Sequence, residues 1–263
     1  MVERVALVTG AAGGIGSAVV DALVADGCRV LALDLAVGAD HGLPGVTHPL
    51  AAPEALDALT ARHGEAVLTE VGDVRDPAVA EDAVRRCVET WGRLDVVVAA
   101  AAVIAGGRPL WETATEELDT QWDVGARGVW HVARAAVPAM LANPDPGGCR
   151  FVAVASAAGS RGLFALSAYT MVKHAVVGLV RGLAADLVGT GVTAVAVSPG
   201  ATDTPMLRAT ADLYGVTPAD LAAHQLLREA LDPADVAAAV RFCCSREGRV
   251  LNGSVVAADG GFG

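Results

Sequence analysis

The segment Val5–Ala25 limits what this chain can become more than any other. Val5 to Val8 is a short apolar run of the kind that forms a buried strand. It leads straight into T-G-A-A-G-G-I-G, Thr9 to Gly16, and then into an apolar-periodic helix reaching about Ala25. Glycine spacing alone says little; strand, Gly-rich turn and helix in that order say more. Gly10 can turn the strand sharply, Gly14 and its neighbour Ile15 leave backbone free to approach a pyrophosphate, and Gly16 lets the helix pack closely.

The rest of the chain repeats the alternation. Strands are expected at Arg29–Asp34, Val67–Val71, Asp95–Ala102, Phe151–Ser156, Val192–Ser198 and Ser254–Ala258. Helices are expected at Pro53–His63, Pro77–Trp91, Thr115–Leu141 (with Gly125 and Gly128 inside it), Ser167–Val188 and Pro233–Ser245. Two stretches fit neither period. Ala36–Pro53 is a long Gly/Pro/His-rich loop, whose His41 and His48 read as solvated. The segment at about 205–231, around Tyr214 and His224, reads as a substrate lid. No linker, repeat or low-complexity segment interrupts the chain. The expected architecture is α/β, a single doubly wound domain spanning 1–263.

Chemistry-bearing residues follow the strand ends, where open parallel sheets bind ligands. Asp34 and Leu35 end the second strand; the Asp34 carboxylate can accept from an adenosine ribose and would repel a 2′-phosphate, which favours NAD over NADP. Asp73 and Val74 follow the third strand, placed to meet an adenine edge. The N-cap of the next helix is better filled by Asp76, which Pro77 follows. Ala99 and Ala100 allow tight backbone approach after the fourth. Pro199, Gly200, Thr202 and Thr204 form a rigid turn after the sixth, suited to an amide-bearing ring such as nicotinamide.

The fifth strand ends at Ser156, and Tyr169 and Lys173 lie four residues apart in the following helix, on one face. Of nineteen lysine and arginine residues, Lys173 is the one lysine, which suggests a task for a compact ammonium. A free tyrosine has a pKa of about 10, and a nearby ammonium lowers it, as proton transfer at an alcohol or carbonyl oxygen requires. Ser156 could hold that oxygen.

Composition excludes other classes. A net charge of −11 argues against nucleic acid or an anionic membrane as the main partner. The longest apolar run, Val96–Ala105, is too short to span a bilayer. Cys28, Cys87, Cys149, Cys243 and Cys244 have no metal-site spacing, so no metal is expected and buried reduced thiols in the cytoplasm are. A hydrophobic fraction of 53% implies a large core and further apolar surface for an oligomer.

As a set, Thr9–Gly16, Asp34, Asp73-Val74, Ser156 with Y-x-x-x-K, the P-G turn with Thr204, and D-G-G at Asp259–Gly261 resemble the classical short-chain dehydrogenase/reductase family, over essentially the whole chain. The resemblance implies a Rossmann-type seven-stranded parallel sheet with helices on both faces, bound NAD(P) and a homotetramer. It makes Tyr169 the general acid/base and has Ser156 orient the substrate oxygen. Lys173 would lower the Tyr169 pKa and bind the nicotinamide ribose. It implies an alcohol/ketone substrate, here apolar and secondary, with Leu163, Phe164, Met206, Leu207, Leu213 and Tyr214 as candidate lining. Two departures stand out: Ala99–Ala102 replace the family's N-N-A-G, and Gly125 replaces its catalytic Asn, which props open a helix and anchors a water beside the lysine. With the long Ala36–Pro53 loop and AAAAVIAGGRPLWET, these departures resemble a branch associated with the redox cofactor mycofactocin, in which NAD is held and reoxidised by that external carrier. The alternatives are a reductase of thioester-linked ketones, disfavoured by the acidic composition, and a non-catalytic NAD-binding protein.

Overall fold

Seven strands form one parallel sheet: β1 (Val5–Thr9), β2 (Arg29–Asp34), β3 (Val67–Val71), β4 (Val96–Ala99), β5 (Arg150–Val154), β6 (Thr193–Pro199) and β7 (Val255–Ala258), in the order β3-β2-β1-β4-β5-β6-β7. This computed structural model describes residues 3–262. Both β2 and β4 pair with β1, so strand order reverses there and a crevice opens above the C-terminal edge.

Helices cover both faces, which is why the strands read as continuous apolar runs. Along β1, Val5 and Leu7 face one layer while Ala6 and Val8 face the other. The first layer is packed by α3 (Pro77–Trp91), α5 (Gly128–Leu141) and α6 (Ser167–Asp186); the second by α1 (Gly14–Ala25), α2 (Pro53–His63) and α9 (Pro233–Cys244). As expected, Asp76 caps α3, accepting from the Ala78 amide at 2.9 Å ahead of Pro77.

Three elements differ from the sequence expectation. The expected strand Asp95–Ala102 is only Val96–Ala99, because Ala100–Ala102 leave the sheet to line a cavity. The expected helix Thr115–Leu141 is interrupted: α4 (Thr115–Trp122) passes through a π-helical turn, Asp123–Arg127, into α5. Gly125 and Gly128 sit there against Val172 and Val74, at contacts too close for a Cβ.

The Ala36–Pro53 loop is also more ordered than its composition suggests. Leu43 and Val46 are buried in the layer of α3 and α5. Gly38 donates to Ala51 O and Leu50 to Gly38 O, both at 3.0 Å, pinning the two ends together. Gly45 rests on Glu117 of α4, and Glu117 is paired with Arg108. The loop is therefore a packed flap over the sheet edge. The segment 205–231 holds α7 (Pro205–Tyr214) and α8 (Pro218–Ala222) on the other side of the cavity.

Candidate active site

A cavity of about 810 Å³ runs along the C-terminal edge of the sheet. Its floor is the β1–α1 turn. Gly10 has φ +67°, and a Cβ there would lie 2.7 Å from the Ala101 backbone. A Cβ on Gly16 would lie 2.0 Å from Gly10 O, and one on Gly14 2.5 Å from Thr204 Cγ2. The turn is a backbone cradle that side chains would fill. The N-terminus of α1 opens into it with no side-chain cap and no acid in its first turn, leaving its amides and the positive dipole end for an anion.

Asp34 lies beside the cradle. Its two carboxylate oxygens accept from the Ala12 amide at 2.9 Å and the Ala36 amide at 3.0 Å, which aims the group into the cavity. Burial raises its pKa, while the Ala36, Ala12 and Leu35 amides oppose the rise. Asp73 also borders the cavity, but Arg75 engages its carboxylate through Nε at 2.8 Å, Nη2 at 2.6 Å and the backbone amide at 2.9 Å. Burial pushes Asp73 up, and the Arg75 contacts outweigh it and hold the carboxyl below its ordinary range. Ile15, Leu35, Val74, Ala100, Pro199, Gly200, Thr202 and Thr204 line the cavity as well. Ala99 does not; it is buried within β4, and the lining starts one residue later. The two threonine hydroxyls already serve the turn: Thr202 donates to Gly200 O, and Thr204 donates to Thr202 O while capping α7.

Ser156, Tyr169 and Lys173 meet in the middle of the cavity. Ser156 follows β5 and accepts from the Ala158 amide at 3.2 Å, opening a short 3-10 turn. Tyr169 is in the first turn of α6 and only 7% exposed; its hydroxyl lies 3.9 Å from the Met206 sulfur. Lys173, 3% exposed, donates to Val154 O at 3.0 Å, with its Nζ 5.6 Å from the centre of the Tyr169 ring. Burial pushes Tyr169 up to about 12, partly opposed by the Ser156 hydroxyl, and pushes Lys173 down to about 8. Here the structure departs from the expectation that the ammonium draws the phenol toward neutrality. The Lys173 nitrogen faces the ring rather than the hydroxyl, and desolvation is larger.

Beyond Tyr169 the cavity turns apolar, walled by Ile104, Leu163, Phe164, Leu166, Met206 and Tyr214. Leu207 also lines it, whereas Leu213 packs behind the wall against Gly107. Tyr214 donates to Phe164 O and stacks on the Phe164 ring at 6.4 Å. At the opposite end the flap contributes Leu43, His48, Pro49, Leu50 and Ala51. Sequence reading named only His48 among these flap residues, and read it as solvated. The available signal was Val37, Leu43, Val46 and Leu50, large apolar residues spaced through a loop of glycines, prolines and alanines.

Gly125 can be tested directly. A Cβ there would lie 2.6 Å from Val172 Cγ1, so in this chain Val172 fills the room a side chain would need. Gly125→Asn is expected to lower stability by about 1–3 kcal/mol through overpacking, and Val172→Ala to recover part of the loss in the double variant. Urea unfolding checks this; a Gly125→Asn protein as stable as the parent would show that the π-turn yields freely.

A family model described as enoyl-(acyl carrier protein) reductase matches residues 10–263. An NAD-dependent oxidoreductase of Mycobacterium tuberculosis is 38% identical over 208 residues, covering 78% of this chain and 73% of its own. A (-)-trans-carveol dehydrogenase of Rhodococcus erythropolis is 31% identical over 274 residues, covering 98% and 96%. The crystal structure of carveol dehydrogenase from Mycobacterium avium in complex with NAD superposes with a TM-score of 0.88 at 29% identity, covering 98% of this chain and 96% of that one. With a cradle, an acid-tipped β2 and a Ser–Tyr–Lys centre on the same sheet edge, the chain belongs to the short-chain dehydrogenase/reductase family.

Proposed function

We propose that the protein is an NAD-dependent dehydrogenase that interconverts an apolar secondary alcohol and its ketone, with Tyr169 as general acid/base. The observation that carries this reading is the buried Tyr169–Lys173 pair, with Ser156, at the junction of the cradle-ended cavity and its apolar arm. The carveol dehydrogenases among its relatives suit an apolar cyclic alcohol in that arm. The open N-terminus of α1 and the Gly10–Gly16 turn would hold the pyrophosphate. Asp34 would hold the adenosine ribose, which favours NAD over NADP, and Leu35 and Val74 would flank the base. Lys173, with two N–H groups beyond the one given to Val154, would hold the second ribose. Pro199, Gly200, Thr202 and Thr204 would bound the carboxamide.

When bound, NAD would supply the hydride acceptor and, in its oxidised form, a positive charge. Ser156 Oγ donates to the substrate oxygen and fixes it near the Tyr169 hydroxyl. In the oxidation direction the Tyr169 oxygen takes the alcohol proton; in reduction it returns one to the carbonyl oxygen. Lys173 stabilises the phenolate through the ring face. The apolar wall and the α7–α8 segment, acting as a lid, exclude water.

The flap over the adenosine end supports the further reading that NAD is retained and reoxidised in place by an external carrier such as mycofactocin. Exposed Trp130 on α5 and Met171 on α6 are apolar surface suited to symmetry mates in a homotetramer. The five cysteines, all free and buried, suit a reducing cytoplasm.

Protein purified without added nucleotide tests the reading. It is expected to release NAD, not NADP, on denaturation, in near-stoichiometric amount. It should exchange labelled NAD slowly and oxidise secondary alcohols with an artificial electron acceptor. Free exchange would remove the external carrier and leave a conventional dehydrogenase. Loss of alcohol oxidation under both regimes would overturn the dehydrogenase.

A further inference from the structure

His41 and His48 sit in the flap with opposite proton placements, both set by backbone. The Leu43 amide can only donate, so His41 Nδ1 accepts from it, at 3.1 Å, and His41 Nε2 donates to His48 O at 3.1 Å. At His48 the partner of Nδ1 is Pro49 O, 3.1 Å away, which can only accept. The proton of a neutral His48 is therefore on Nδ1, and Nε2 is a bare acceptor. That Nε2 is buried and meets no hydrogen-bond partner among the described residues, although His48 lines the cavity. Buried polar atoms in native proteins are rarely left so, and each one calls for an explanation.

We propose that His48 Nε2 accepts a hydrogen bond from the adenine 6-amino group of the bound dinucleotide, with His41 as the positioning residue that holds the His48 backbone. The inference rests on the NAD reading above. At the adenosine end the donors are that amino group and the ribose hydroxyls, since phosphates only accept. The hydroxyls fall to Asp34, whose amide contacts aim it there. The amino group carries two N–H donors: Asp73, whose Oδ1 takes only the Arg75 amide, can meet one, and the other is open to a second acceptor. His48 Nε2 is the unpartnered acceptor on the flap side, where Leu43, Leu50 and Ala51 supply an apolar surface for the base.

The test is equilibrium binding of NADH and of its hypoxanthine analogue, in which a carbonyl oxygen replaces the amino group, to nucleotide-stripped protein. The wild type is expected to bind the analogue about tenfold more weakly than NADH, since two acceptors then face each other. His48→Phe is expected to bind NADH about tenfold more weakly and to narrow the distinction between the two nucleotides. His48→Gln, which keeps an acceptor near the Nε2 position, is expected to retain most of both affinity and distinction. Thermal unfolding of each stripped variant separates misfolding from lost contact, and His48→Gln carries the test if His48→Phe does not fold. Unchanged NADH affinity in His48→Phe, or equal losses for the two nucleotides, overturns the assignment. A wild type that binds neither nucleotide overturns this inference and the NAD reading together, whereas tight wild-type binding indifferent to His48 overturns this one alone.

Discussion

Tyr169→Phe is expected to lower turnover about 10³-fold in both directions while leaving NADH affinity and thermal stability near the parent values. The ring is buried and stays in place; what goes is a hydroxyl whose contact with the Met206 sulfur, at 3.9 Å, is too long to hold the fold. Steady-state rates with the best secondary alcohol and its ketone, beside a nucleotide titration, check this. Retained turnover would remove Tyr169 from the chemistry. The pH profile of the parent adds a second readout. Burial pushes the phenol up to about 12, so the base form is scarce at neutrality and alcohol oxidation should climb with pH. Reduction starts from the neutral phenol and should not climb. Lys173, pushed down to about 8 by burial, loses its charge over the same alkaline range, so the climb in oxidation should flatten above about 8.

Lys173→Met is expected to split activity from stability. Turnover should fall about 10²–10³-fold, the usual cost of removing one fixed electrostatic contact from a reacting centre. The folded protein should be as stable as the parent or more so. The ammonium is 3% exposed and gives one hydrogen bond, to Val154 O; a methionine of similar length fills the same space with no charge to desolvate. The pH dependence of stability carries the sign. Because the folded pKa, about 8, is below the ordinary 10.5, the unfolded chain binds more protons in between. The parent should therefore gain stability as pH rises from about 8 to 10.5, and Lys173→Met should lose that gain. Tyr169 acts oppositely: its folded pKa of about 12 exceeds the ordinary 10.0, so its contribution is intact below 10 and fades above it in both proteins. Urea unfolding at pH 7.5 and 9.5 reads the Lys173 window with little from Tyr169. A lower stability for Lys173→Met at pH 7.5 would show that the ammonium, not its burial cost, dominates.

The sheet was legible because its central strands are buried on both faces, and a run such as Val96–Val98 has few other uses. The cradle was legible because Gly10 and Gly16 meet demands no other residue meets, a positive φ in one case and a carbonyl in the place of a Cβ in the other. What stayed hidden depends on how side chains turn or on partners far along the chain. Arg75 is two residues from Asp73, yet nothing in the spacing says that its guanidinium holds one carboxylate oxygen and its amide the other. The space beside Gly125 is taken by Val172, forty-seven positions along a different helix. The flap follows no period because its order comes from backbone contacts to His41 and from Gly45 resting on Glu117. A solvated reading of His48 is the natural one until the flap is seen folded, with one ring nitrogen turned inward.

The solitary lysine has a consequence outside catalysis. The chain carries one side-chain amine, and it is sealed inside the cavity. Reagents that seek amines therefore find no lysine on the exterior, and any adduct on Lys173 records a moment when the interior stood open. The protein thus contains a built-in accessibility label, read by mass after brief exposure, in which a snugly occupied cavity would register as protection.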